Sequence, residues 1–454
     1  MLNEIRIDGF KSLEGFSLSI RPGLNVFVGP NGSGKSNVLS LFEFLSHLVN
    51  YPLPEAVSRS GGAGTIFRRL PGERIENSIR ISLSGYGKMK GGGFSFRYSA
   101  LRRRTSQYFV EYNWSATVAI NENGTNLRFS EQSVSFSVFL DPKRRSFRDR
   151  KTGNRKWHFH VETKENTDKK TIRLENIKQN RSAWRNVFNT WPPTIADYLF
   201  YSELDYLRYP IIRSLGRFYS PLDKIREDIL SGYIYNLNPS RIKESEDIAR
   251  TAEISEDGSG LAATLYKIQE RGKELNYGPF LYVHDEDSSL IEFEALQEYF
   301  SLVNSNIVEV SVQNDALENK LVPIARVKGD DDDIKIPLAM LSDGTVKWFA
   351  LVTAVLSKRA IFSIEEPENF LHPKMQREII DIIRSNTGSD TEFFFLITTH
   401  SETLINTLKP EEVVICQMRE GRTLVNRDIP SDLITEEINK TGFGLGYLYV
   451  NDMI

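Results

Sequence analysis

Cysteine is nearly absent: Cys416 stands alone among 454 residues, so no internal disulfide can form and a reducing compartment is expected. Its run, Val413-Val414-Ile415-Cys416, reads as a strand in which the thiol is a small buried hydrophobe rather than a reactive group. Long apolar runs are missing too. The longest, from Trp348 to Leu356, is too short to span a bilayer and is followed by Lys358 and Arg359. The N-terminal stretch carries Glu4 and Asp8 and no signal-like apolar core, so a cytoplasmic protein without membrane contact is expected. Neither charge dominates. A net charge of −3 gives the whole molecule no nonspecific pull toward nucleic acid or membrane, and confines any such contact to a local patch. No heptad run persists, and Pro192, Pro193, Pro210, Pro221, Pro239 and Pro279 interrupt the middle of the chain, which excludes a long coiled coil there. Internal repeats and long low-complexity tracts are also lacking.

What is present is an ordinary globular balance, 40% hydrophobic and 26% charged, with material for a large core plus an insertion or for more than one domain. The most telling stretch is Gly29-Pro30-Asn31-Gly32-Ser33-Gly34-Lys35-Ser36. It follows the apolar run Asn25-Val26-Phe27-Val28 and opens a helix-like segment over residues 35–49, the strand, loop, helix order of a phosphate-binding loop. Glycines let successive backbone N–H groups turn toward one point, and the helix N-terminus adds positive potential. Lys35 reaches the outer phosphates, and the Ser36 hydroxyl can ligate Mg²⁺. Asn31, Gly32, Ser33, Gly34, Lys35 and Ser36 are therefore candidate ligands of a nucleoside triphosphate.

Three later stretches extend the site. Ala360-Ile361-Phe362-Ser363-Ile364 is an apolar strand ending in Glu365 and Glu366, which delivers two carboxylates to the rim of the sheet. One carboxylate, Glu365, can hold Mg²⁺ through its water shell, and its neighbour, Glu366, can polarise a water attacking the γ-phosphate. A second apolar strand, over residues 393–398, ends at Thr399-His400-Ser401 and offers a histidine to the same rim. Leu341-Ser342-Asp343-Gly344-Thr345 opens a helix with a serine hydroxyl and exposed amides suited to a phosphate.

Elsewhere the pattern divides the chain. Residues 2–28 alternate as a small antiparallel element, β-rich runs recur over 78–140, residues 195–305 are mainly helical, and strand and helix alternate again after 335. The expected architecture is α/β, a mixed-sheet head over residues 1–50 and 320–454 with a β-rich lobe, 51–200, and a helical lobe, 201–319, inserted. The acidic run from Asp330 to Asp333 reads as a solvated hairpin tip. Residues 143–156, from Lys143 to Lys156, hold eight basic residues among fourteen, with Trp157 and Phe159 following. That composition suits either a solvated basic hairpin or contact with a nucleic-acid backbone or an acidic protein.

The motifs taken together carry a resemblance. Ser342 to Gly344 resembles the ABC signature, the segment from Phe362 to Pro367 the Walker B strand, Glu368 to Pro373 the D-loop, and His400 the switch histidine. With the phosphate loop, the chain resembles an ABC-type ATPase with an ABC ATPase head. Ile7-Asp8-Gly9-Phe10-Lys11-Ser12 and the continuation through Ser36-Asn37 are similar to the SMC and RecF branch. Tyr235-Asn236-Leu237-Asn238-Pro239 and Asp257-Gly258-Ser259-Gly260-Leu261 are similar to stand-alone bacterial ATPases related to the overcoming-lysogenization-defect family, many of them parts of antiphage systems.

The resemblance implies ATP and Mg²⁺ as cofactors, Glu366 and His400 as catalytic residues, Asn37, Ser342 and Gly344 as further nucleotide contacts, and Ser36 with Glu365 at the metal. It also implies a homodimer that sandwiches two ATP molecules, each signature completing the partner's site. Three positions depart from the pattern: Glu365 where Asp is common, His372 at the D-loop Asp position, and Thr345 after the signature glycine. No glutamine is identified for the Q-loop. Two pathways stay open: the ATPase sensor and scaffold of an antiphage complex with a separate nuclease or toxin, or a repair or recombination ATPase acting on DNA directly.

Overall fold

The computed structural model describes residues 1–72, 74–90, 107–121, 126–139, 155–164, 207–216, 220–230, 232–276, 293–302, 304–356, 361–387, 393–427 and 431–451. Its centre is a six-stranded mixed sheet in the order Ile234–Tyr235, Ile361–Glu365, Phe394–Thr399, Gly23–Val28, Val413–Arg419 and Arg422–Asn426. The first five strands are parallel, and the last returns antiparallel. Every residue of Gly23–Val28 and of Phe394–Thr399 is buried. Parallel strands covered on both faces have no solvent side, which is why these segments read as continuous apolar runs rather than as an alternation.

Two layers cover the sheet. Phe27, Phe394 and Leu396 share one core with the helix Lys35–Asn50, where Phe42 meets Phe394 edge-on at 6.1 Å. Val26, Phe395 and Ile397 point the other way, into a core with the helices Asp343–Leu356 and Pro373–Asn386. The sequence's longest apolar run therefore lies in a helix buried on all sides from Thr345 to Leu356. Among the described residues no helix is long and apolar enough to cross a membrane. Cys416 is fully buried, and burial pushes its thiol up to about 12, as expected of a core residue.

A second sheet is antiparallel throughout, in the order Phe16–Ser19, Leu2–Asp8, Ser78–Lys90, Gln107–Ile120, Leu127–Phe139 and Arg155–Lys164. Val110, Tyr112, Trp114, Ala116 and Val118 alternate along one strand and bury their face in the core shared with Lys35–Asn50. Its pairings cross the expected boundary at residue 50, because Leu2–Asp8 lies between Phe16–Ser19 and Ser78–Lys90. A third sheet crosses the boundary at residue 320 in the same way: Ile307–Asp315 pairs with Lys320–Val327, which also takes Glu246–Asp247 and Ile334–Pro337. Asp330 to Asp333 form the exposed tip between its last two strands, with Asp333 paired to Arg326 at 3.0 Å.

Candidate functional site

The loop between Gly23–Val28 and Lys35–Asn50 turns on Gly32 and Gly34, with φ of 81° and 93°. A Cβ on Gly32 would meet nothing within 4 Å among the described residues, so the tip lies open to them, with Asn31 exposed beside it. A Cβ on Gly34 would overlap the Thr423 hydroxyl. Thr423 is buried in the C-terminal hairpin, donates its N–H to Ser12 O at 2.9 Å, and holds its hydroxyl 2.6 Å from Ser12 Oγ. Ser12 Oγ in turn accepts from Asn37 Nδ2 at 2.7 Å. Strand Arg422–Asn426 and the turn at Ser12 thus brace the loop from behind, and Asn37 serves that brace. Gly34→Ala is expected to combine left-handed backbone strain of about 1–2 kcal/mol with overpacking of about 1–3 kcal/mol. A thermal-melting scan should show a lowered midpoint together with loss of nucleotide binding; an unchanged midpoint contradicts the brace.

Lys35 is 6% exposed, and its ammonium donates to Gly29 O at 2.7 Å and Pro30 O at 3.1 Å. Among the described residues no carboxylate forms an ion pair with it. Ser33 Oγ is buried and has no hydrogen-bond partner among the described residues. A buried cation held by carbonyls alone, beside an orphan hydroxyl and a helix N-terminus, is a donor set that fits a phosphate chain. Ser36 Oγ donates to Glu365 Oε1, so the two expected metal ligands touch. Among the described residues no group of three His, Cys, Asp or Glu side chains is arranged for a metal. One hydroxyl and one carboxylate, completed by phosphate oxygens and water, suit Mg²⁺ better than a cation that demands a protein cage. Lys11 faces Glu365 and Glu43; burial lowers the Lys11 pKa and raises that of Glu43.

Glu366 follows directly from the strand Ile361–Glu365, and its N–H donates to Thr398 O at 3.0 Å on the neighbouring strand. Its Oε1 lies 3.2 Å from His400 Nδ1, and its Oε2 accepts from Asn369 Nδ2 at 3.1 Å. The adjacency of the two parallel strands brings this pair together at the rim to which the sequence assigned both residues, although the contact between them was not expected. Glu368, named above only as the start of the stretch that resembles the D-loop and given no role at the rim, does the anchoring. It is nearly buried, its Oε1 accepts from Thr399 Oγ1 at 2.6 Å and from His400 N at 3.1 Å, and the same oxygen lies 3.7 Å from His400 Nδ1. The signal was the second acid of Glu366-Pro367-Glu368, two residues past the strand end.

Ser342 is exposed at the start of Asp343–Leu356, and its Oγ accepts from Thr345 N at 3.3 Å and lies 2.8 Å from Thr345 Oγ1. Thr345, one of the departures, therefore completes the cap. His372 likewise accepts from Lys374 N at 3.3 Å and caps Pro373–Asn386. A Cβ on Gly344 would stand 2.5 Å from Phe370 O, so glycine here permits close approach of the turn at Phe370. No hydrogen bond among the described residues joins Ser342 or Gly344 to the phosphate loop. Lys347, one turn on, is 3% exposed, and burial pushes its ammonium down to about 8 against the pull of Glu368 and Glu366. Residues 143–154 of the basic segment lie outside the described residues; Arg155 and Lys156 begin the edge strand of the antiparallel sheet.

A family model described as "AAA domain, putative AbiEii toxin, Type IV TA system" matches residues 24–406, a span that begins in Gly23–Val28 and ends beyond His400. The chain belongs to this family. Within the AAA family match lie all the expected site residues, from Asn31 to His400. Among curated proteins, the DNA replication and repair protein RecF of Salmonella arizonae is 32% identical over 92 residues, 20% of this chain and 26% of that protein. RecF of Corynebacterium jeikeium is 32% identical over 76 residues, 17% of this chain and 16% of that protein. The matches thus span about a quarter or less of those relatives' lengths. Among solved structures, the Smc head bound to the C-winged helix domain of ScpA overlays at a TM-score of 0.47 and 12% identity, covering 94% of this chain and 97% of that one. The Smc head with an extended coiled coil from Pyrococcus furiosus gives 0.42 and 13%, covering 96% and 99%.

Proposed function

We infer that this AAA-family chain binds ATP with Mg²⁺ and hydrolyses it, and that two copies close around two nucleotides to act as the sensor and scaffold of an antiphage complex. The observation that carries the enzymatic part is convergence: Lys35, Ser36, Glu365, Glu366 and His400 all stand at the carboxyl ends of three adjacent parallel strands. Bound Mg²⁺ would neutralise charge on the phosphates. Ser36 and Glu365 would hold it, and Lys35 would turn from its loop carbonyls to the phosphates. Glu366 accepts a proton from the attacking water, while His400, anchored by Glu368, keeps that carboxylate aimed.

The exposed Ser342 and the absence of any described bond from it to its own loop support a role at the partner's nucleotide. Light scattering tests this directly: mass should double on adding ATP and Mg²⁺, and a chain that stays monomeric at saturating ATP contradicts the shared site. The family's association with a toxin of a type IV system, together with the resemblance to overcoming-lysogenization-defect ATPases, supports defence and a separate effector, a nuclease or toxin. Co-purification with a neighbouring gene product checks it. The RecF similarity favours a second reading, a repair ATPase acting directly on DNA. Turnover stimulated by bare DNA, falling with salt, would decide for that reading.

A further inference from the structure

The turn that carries Glu366 is held in a conformation its residues do not favour. Glu366 and Phe370, neither of them glycine, have φ of 43° and 70°. Such conformations persist only where surrounding contacts over-determine them. Inside the turn, Asn369 N donates to Glu366 O at 3.1 Å and Leu371 N to Glu368 O at 3.0 Å. From outside, one helix closes on it. Lys347 Nζ donates to Asn369 O at 2.7 Å and lies 5.6 Å from the centre of the Phe370 ring, while Gly344 packs on Phe370 O. The Asn369 side chain reaches on to Glu366 Oε2. A lysine in a helix otherwise buried among apolar groups thus ends on the backbone of the residue that grips the catalytic carboxylate.

We propose that Lys347 is a positioning residue: it ties the first turns of the signature helix to the Asn369 turn, and so makes the aim of Glu366 depend on where that helix sits. This rests on the shared-site reading, under which Ser342 at the head of the same helix touches the partner's nucleotide. Occupancy of one site is then felt at the carboxylate of the other through Ser342, the helix, Lys347, Asn369 and Glu366, without any change in the residues that bind the chain's own ATP.

Turnover at saturating ATP comes first. Lys347→Met keeps the length and loses the donor; it should bind ATP as the native chain does and turn over about tenfold to a hundredfold more slowly, the cost of a misaimed group. Lys347→Arg, which keeps a donor, should recover much of the loss. Native turnover in Lys347→Met overturns the proposal, whatever the oligomeric state. Mixed dimers then locate the effect. A Lys347→Met protomer joined to a Glu366→Gln partner leaves only the first protomer's Glu366 active and should be slow. A native protomer joined to a partner carrying both changes should match a native protomer joined to Glu366→Gln alone. Slowing confined to the second mixed dimer would mean that Lys347 merely presents the signature to its partner, and would overturn the proposal. If Glu366→Gln fails to associate with ATP, the shared-site reading falls, and the turnover of Lys347→Met alone decides whether the tie exists.

Discussion

Glu366→Gln is expected to bind ATP, to lose at least about a hundredfold in turnover, and to accumulate as an ATP-bound dimer. The amide keeps the size of the carboxylate and can still accept from Asn369 Nδ2, so the strained turn should survive the change. What it loses is the basic oxygen 3.2 Å from His400 Nδ1. General-base assistance contributes roughly 10²–10⁴ in rate, so no surviving hydrogen bond substitutes for it. Phosphate release and light scattering on the same sample separate the two claims. Native turnover removes Glu366 from the chemistry; slow turnover in a species that stays monomeric keeps Glu366 as the base and removes the sandwich.

How much of this was legible depends on how local each signal is. The phosphate loop and the strand ending at Glu365 are each specified by a run of neighbours, and each lies where the pattern put it. That Glu366 and His400 stand at one rim was also readable, because two apolar strands end there; that they meet was not. The N-terminal antiparallel element and the β-rich runs after residue 78 were also readable, but their joining into one sheet was not. Leu2–Asp8 pairs with both Phe16–Ser19 and Ser78–Lys90, and nothing in an alternating pattern names a partner seventy residues away. Strand Ile234–Tyr235 is too short to show a period at all. Thr423 and Glu368 sit in polar turns and hairpins whose composition reads as solvent-facing, yet both are buried, since each braces a loop from another part of the chain. Lys347 left a visible trace, a charge beside the longest apolar run, but the carbonyl it serves belongs to a turn past the next strand.

Lys35→Ala should separate nucleotide binding from folding. In the native chain the ammonium is nearly buried and, among the described residues, meets only the Gly29 and Pro30 carbonyls, so its removal takes away a desolvated charge along with two hydrogen bonds. A buried charge without a counter-charge is costly, and the lost bonds are worth about 0.5–3 kcal/mol each; the two contributions oppose one another. The melting temperature without nucleotide should therefore move little. With nucleotide the outcome is different. A charge-assisted bond to phosphate contributes about 1.5–3 kcal/mol, so affinity should fall roughly tenfold to a hundredfold. At an ATP concentration about a hundred times the native Kd, the ligand stabilises the fold by about 2.7 kcal/mol; a hundredfold weaker site would retain only about 0.4 kcal/mol. The ATP-induced shift in Tm should thus nearly vanish while the nucleotide-free Tm stays in place. A full shift in Lys35→Ala would mean that the phosphates are held elsewhere. A collapse of the nucleotide-free Tm would mean that Lys35 is a structural strut of the loop, its two carbonyl bonds outweighing the burial of its charge.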